Sequence, residues 1–150
     1  MLKRTPNGLR EIVATFGHLT PNFEARYIVS FDLPYPLLYA GKTVRRARCH
    51  RLLVDNFITA FSAIRAAGLE SECRNYGGIY ANRSIRGISS HPSTHSWGIA
   101  IDLEPAKYPL GNRKRFPDAV IQCWELAGFY YGGNFRKRPD PMHFQFTINY

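Results

Sequence analysis

His95 and Asp102 stand seven residues apart in Ser93-Thr94-His95-Ser96-Trp97-Gly98-Ile99-Ala100-Ile101-Asp102. Imidazole and carboxylate are the side chains that bind a zinc ion. Read as a strand, the end of this stretch puts Ile99, Ile101 and Leu103 on one face and Gly98, Ala100 and Asp102 on the other. The first face is bulky and suits a core. The second is small and ends in one carboxylate, which leaves room above the strand for something to sit.

The stretch Asp140-Pro141-Met142-His143-Phe144-Gln145-Phe146-Thr147-Ile148 repeats the logic. Met142, Phe144, Phe146 and Ile148 point one way, and His143, Gln145 and Thr147 the other. If both strands share a sheet, His95, Asp102 and His143 can converge. Three protein ligands with one open position make the catalytic form of a zinc site. Asp140, three residues before His143, is then the candidate general base for a water acidified by the metal. Arg83 and Arg86 lie just upstream, and either can stabilise an oxyanion.

These residues need a scaffold. A chain of 150 residues predicts one domain with a real core. At 45% hydrophobic and 21% charged residues the balance is globular, not disordered. No apolar run reaches the roughly 18 residues of a membrane span. The basic start, Met1 to Gly8, is followed by no apolar run, so no signal peptide is expected. Cys49, Cys73 and Cys123 are odd in number and lack CxxC spacing, which predicts free buried thiols. The net charge of +9 favours an anionic partner such as nucleic acid, an acidic membrane surface or a cell-wall polymer.

Taken in order, residues 8–16 predict a short helix ended by Gly17, with His18 in a surface turn. Residues 27–31 predict a strand, broken by Pro34 and Pro36. Gly41-Lys42-Thr43 is no phosphate loop, because the first glycine of that motif falls on Pro36. Residues 49–67 predict a helix with the apolar stripe Leu53, Phe57, Ala60, Phe61 and Ile64 and with Gly68 as cap. Arg45, Arg46, Arg48 and Arg51 then crowd its N-terminal end, where the helix dipole disfavours cations. His50 is read as structural or surface.

Residues 69–76 predict a strand, Gly77-Gly78 a turn or close backbone approach, and 84–92 a loop containing His91. A loop over 104–115 leads to a helix over 117–127 that starts at Pro117 and ends at Gly128. A short aromatic strand over 129–133 and a basic loop over 134–139 deliver Asp140 and His143. Helices and strands mix without βαβ alternation, so the expected class is α+β with an antiparallel sheet and flanking helices.

Ser93-x-His95-x-x-Gly98-x-Ala100-x-Asp102 resembles the signature of the zinc D-Ala-D-Ala carboxypeptidase and L-alanyl-D-glutamate endopeptidase family, peptidase family M15. VanY-like carboxypeptidases and phage endolysins belong to it. Asp140-Pro141-Met142-His143-Phe144 is similar to the family's second signature. Gly132-Gly133-Asn134-Phe135 resembles the stretch before it, with Phe135 where tryptophan is expected. The resemblance covers residues 77–146 and gives the first 76 no role.

It implies a Hedgehog/DD-peptidase type of fold over 1–150, with one Zn2+ held by His95, Asp102 and His143. Asp140 is implied as general base, Arg83 as oxyanion support, and Arg86 and Ser93 as substrate-binding residues, with Arg86 the alternative for the oxyanion. The implied activity is hydrolysis of peptidoglycan stem peptides by a monomer, as an L-Ala-D-Glu endopeptidase or, alternatively, a D-alanyl-D-alanine carboxypeptidase. A lysin of this type is made in the cytoplasm and acts on the cell wall after release, with a holin as partner if it is phage-encoded. From another class, the basic charge and the Arg45–Arg51 cluster would suit a nucleic-acid-binding or nuclease domain, although no such motif appears. A zinc module that only recognises a partner is the third reading, and Asp140 argues against it.

Overall fold

The computed structural model describes residues 1–150, the side chain of Ser89 excepted. Its centre is an antiparallel sheet in the order β3 (Tyr76–Gly78), β6 (Ala100–Leu103), β8 (His143–Gln145), β7 (Tyr130–Tyr131). The two middle strands are buried along their whole length. Ala100 pairs with Gln145, Ile101 with Phe144 and Asp102 with His143. The ladder runs on through Leu103 N–H to Met142 O at 2.9 Å and Phe146 N–H to Ile99 O at 2.8 Å. The fold is α+β, as expected from the mixture of elements.

Helix α1 (Gly8–Phe16) buries Ile12 and Phe16 and ends at Gly17, whose N–H caps Val13 O. A one-turn helix α2 (Phe23–Tyr27) leads into a long hairpin, β1 (Ile28–Tyr39) and β2 (Lys42–His50). Helix α3 (Val54–Ala66) buries the predicted stripe of Phe57, Ala60, Phe61 and Ile64. Helix α4 (Asp118–Leu126), entered through Pro117, buries Val120, Ile121, Cys123 and Trp124. Trp124 stacks on Phe144 at 5.1 Å and meets Phe61 edge-on at 5.2 Å, so both helices close on the back of the sheet. Each such buried aromatic contributes about 1.5–3 kcal/mol by area alone.

The hairpin corrects two expectations. Pro34 and Pro36 do not end the first strand. They fall in a register shift between Asp32 and Leu37, where no ladder donor is required of them. Residues 42–50 are strand, so the predicted helix starts at Val54; Arg45, Arg46 and Arg48 lie on the strand, away from its dipole, and only Arg51, in the 3-10 turn Arg51–Leu53, stands just before it. The strand's inner face is Ala47 and Cys49, both buried. Arg46 and Arg48 point outward and pair with Asp32 at 3.0 Å and Glu24 at 2.6 Å. The Gly41 stretch is the hairpin turn, Ala40 and Gly41 having φ 48° and 76°.

Further on, Glu70–Cys73 is a 3-10 turn, and strand begins only at Tyr76. The stretch 84–92 is a second hairpin, β4 (Ser84–Ile85) with β5 (Ile88–Pro92), where a loop was expected. The aromatic segment after α4 is strand only at Tyr130–Tyr131 before a 3-10 turn over Gly132–Asn134. His18 is exposed and the three cysteines are free and buried. Among the described residues no helix is long and apolar enough to cross a membrane.

Candidate active site

His95 sits on a 3-10 turn, Thr94–Trp97, immediately before β6. Ser93 caps the turn, its Oγ accepting the His95 N–H at 3.3 Å. Gly98 closes it at φ 66°, donating to His95 O at 3.0 Å, and its own carbonyl accepts the His50 N–H at 3.0 Å. A Cβ on Gly98 would lie 2.8 Å from that His50 nitrogen, so conformation and space both require glycine. Trp97 pins the turn to α1 by donating Nε1–H to Gly17 O at 2.9 Å. The His95 ring lies 2.7 Å through Nδ1 from Ile79 O. A carbonyl only accepts, so Nδ1 carries the hydrogen and Nε2 presents a lone pair. That Nε2 is buried without a hydrogen-bond partner among the described residues, 3.3 Å from Asp102 Oδ1.

Asp102 and His143 face each other across β6 and β8, with Nδ1 of His143 2.9 Å from Asp102 Oδ1. On the other flank Gly77 lies against Asp102 so closely that a Cβ would sit 2.8 Å from the aspartate Cβ. This is the close backbone approach expected of Gly77-Gly78. Glu104, two residues beyond, holds β3 there by accepting the Arg74 and Asn75 N–H groups, both at 2.7 Å.

One donor atom from each of His95, Asp102 and His143 fits within 4.8 Å of the others, and all three residues are buried. Donors about 2.0 Å from a tetrahedral ion stand about 3.3 Å apart. The observed 3.3 and 2.9 Å spacings and the unpartnered His95 Nε2 fit a metal ion held by this group. Burial by itself would raise the Asp102 carboxyl. The His95 and His143 imidazoles beside it outweigh that and hold the group well below the usual carboxylate range. Burial likewise works to lower His143, and the hydrogen bond and charge of Asp102 overcome it and raise the imidazole.

Asp140 ends the loop before β8, its N–H held by Gly132 O at 2.9 Å and its carbonyl accepting the His143 N–H at 3.0 Å. Its Oδ1 is buried with no hydrogen-bond partner among the described residues. Burial raises its pKa, with repulsion from Asp102 adding to that and His143 opposing it. Arg83 extends toward the same carboxylate as the histidines, Nη2 standing 4.0 Å from Asp102 Oδ2. The Arg83 backbone is fastened by Ser96, whose Oγ accepts its N–H at 3.0 Å and donates to its carbonyl at 2.8 Å. Arg86 is exposed at the tip of the second hairpin and offers its carbonyl to Arg138 Nη1 at 3.0 Å.

Arg83, Arg86, Ser93, His95, Asp102, Asp140 and His143 line one cleft of about 980 Å³. Residues of the β4–β5 hairpin and the basic segment Arg136, Lys137 and Arg138 line it too, with Phe135 stacked on Tyr130 at 5.9 Å. His91 is exposed and bonded to Ser90 at 2.9 Å, away from the cluster. His50 is buried, its Nε2 3.1 Å from Phe16 O, which makes it structural.

Two participants went unseen in the sequence. Gln145 Oε1 lies 3.0 Å from His143 Nε2, and Thr94 Oγ1 donates to the same oxygen at 3.2 Å. The signal for Gln145 was its place on the polar face beside His143. For Thr94 there was none, since its face depends on the 3-10 turn.

No curated protein and no solved structure matches the chain. Residues 87–146 match the family model described as D-alanyl-D-alanine carboxypeptidase. That span contains His95, Asp102, Asp140 and His143, whereas Arg83 lies before it. Over residues 87–146, which carry the entire His–Asp–His group, the chain is similar to that carboxypeptidase family.

Proposed function

We propose that this chain is a zinc-dependent peptidase of family M15 that hydrolyses peptidoglycan stem peptides, cutting the L-Ala-D-Glu bond as an endolysin does. Residues 1–150 then form one peptidase domain of the Hedgehog/DD-peptidase type, with its motifs in 77–146. The observation that carries the reading is the His95, Asp102 and His143 group, beside the unpartnered Asp140 carboxylate in one cleft. A purely structural zinc site would close its fourth position with a protein ligand. Here the fourth side faces a cleft at the upper end of the roughly 300–1,000 Å³ range of ligand pockets, room enough for a polymeric substrate.

When bound, zinc supplies Lewis acidity, polarising a carbonyl and acidifying water toward neutrality. Asp140 takes the proton of the attacking water on Oδ1 and returns it to the leaving amine. Its raised pKa suits a group that must hold that proton between the two events. Arg83 meets the negative charge that develops on the scissile carbonyl oxygen. Arg86 and Ser93 contact substrate from the hairpin side of the cleft. The charge of +9 draws the protein to an anionic sacculus, less strongly as salt rises.

The matched family model bears the description of a carboxypeptidase, so trimming of terminal D-Ala is the second reading. Mass spectrometry of purified muropeptides after digestion separates the two. A new free D-Glu amino group supports the endopeptidase. Free D-Ala without an internal cut moves the assignment to the carboxypeptidase. Muropeptides left intact by zinc-loaded protein overturn both.

A further inference from the structure

Asp102 Oδ1 lies 2.9 Å from Nδ1 of His143, and Gln145 Oε1 and Thr94 Oγ1 lie 3.0 and 3.4 Å from Nε2. The far end of the Gln145 amide lies 3.3 Å from Thr147 O and 3.2 Å from Tyr150 O. Both are main-chain carbonyls and can only accept. That end must therefore be the NH2 group, and the amide cannot be flipped without setting oxygen against oxygen. Oε1 is thus held toward the histidine, where the Thr94 hydroxyl also donates to it. An amide oxygen has no hydrogen to give, so the hydrogen between Gln145 and His143 belongs to Nε2; Asp102 Oδ1 also only accepts, and a metal ion between it and Nδ1 would leave Nε2–H as the ring's one hydrogen.

We propose that Gln145 is a positioning residue for the metal centre: it keeps the hydrogen of His143 on Nε2, so that the ring offers Nδ1 to the ion. His95 does the reverse. Its hydrogen is held on Nδ1 by the Ile79 carbonyl and it offers Nε2. The two histidines therefore ligate through different nitrogens, each fixed by an acceptor behind it. With a hydrocarbon at 145, the Nε2–H would keep only the Thr94 hydroxyl, 3.4 Å away, as an acceptor, and the tautomer that blocks Nδ1 would be less disfavoured. The inference rests on the metal-centre reading made above.

Two measurements test it. Two-bond 1H–15N spectra of the zinc-loaded wild-type protein should show His143 protonated at Nε2 and bound to metal through Nδ1, and His95 the opposite. Competition with a chromophoric chelator should show zinc affinity about 10- to 100-fold weaker in Gln145→Leu. Zinc bound through Nε2 of His143 overturns the proposal alone, and this spectrum decides even if Gln145→Leu does not fold. Wild-type affinity in Gln145→Leu overturns it as well. A wild-type protein that binds no zinc overturns the metal-centre reading, and this inference with it.

Discussion

Asp102 and His143 are direct cross-strand partners in the central sheet, and their side chains meet at 2.9 Å although 41 residues separate them. Side chains alternate along a strand, so a one-residue slip of β8 on β6 would turn His143 to the opposite face. The aromatic face of β8 prevents the slip. Phe144 is fully buried against Trp124, and moving it to the cleft side would expose it. The core thus sets the register, and the register builds the pair that could hold a metal.

The pair gives the first prediction. Carefully purified protein should carry about one zinc per chain by elemental analysis. The double variant His95→Ala/His143→Ala leaves one carboxylate of the three ligands and should lose the metal. Undiminished zinc content in that variant would mean that the ion is held elsewhere.

Asp140 should separate metal binding from turnover. Asp140→Ala is expected to keep its zinc and its thermal unfolding profile while muropeptide cleavage falls about 100- to 10,000-fold. Loss of zinc in this variant would identify Asp140 as a ligand instead.

Arg83 and Arg86 differ in where they stand. Arg83 reaches within 4.0 Å of Asp102, while Arg86 lies exposed on the hairpin tip. Arg83→Ala should therefore lower kcat about 100-fold or more, with zinc retained. Arg86→Ala should act mainly on KM. Steady-state kinetics on one purified muropeptide tests both, and the reverse pattern would exchange their roles.

At Gly98 a methyl group meets backbone at 2.8 Å in a left-handed conformation. Gly98→Ala should destabilise the fold by about 2 kcal/mol or more, read from urea unfolding. It should also weaken zinc binding, because the turn that carries His95 is displaced. Unchanged stability and affinity would show that the turn relaxes freely.

Burial pushes the His50 imidazole down to about 4, against a weaker opposing effect of its bond to Phe16 O. Between about pH 6.5 and pH 4 the unfolded chain carries a proton there that the folded chain excludes. Stability therefore falls as pH falls across this window, by on the order of 3 kcal/mol in total. His50→Gln removes the titrating group. Urea midpoints measured from pH 7 to pH 4 should drop more steeply in wild type than in the variant. Equal slopes would show that His50 titrates normally.

The sequence by itself marked the candidate donor residues and determined much of the local structure. Donor types and spacing marked His95, Asp102, His143 and Asp140, because few side chains bind metals or carry protons and both signatures are local. Periodicity and terminal residues marked α1, the buried stripe of α3 and the helix that begins after Pro117, because a helix is a short-range object. What it could not determine depends on partners distant in the chain. The arginines of β2 resemble a helix start until Asp32 and Glu24 are seen beside them. Pro34 and Pro36 resemble strand breakers until the register shift shows that no hydrogen bond is asked of them. The hydrogen on each histidine was decided only by tertiary structure. Its position depends on carbonyls from β3's far end and the C-terminal segment, and an acceptor fixes a tautomer only once folding has brought it within hydrogen-bond reach.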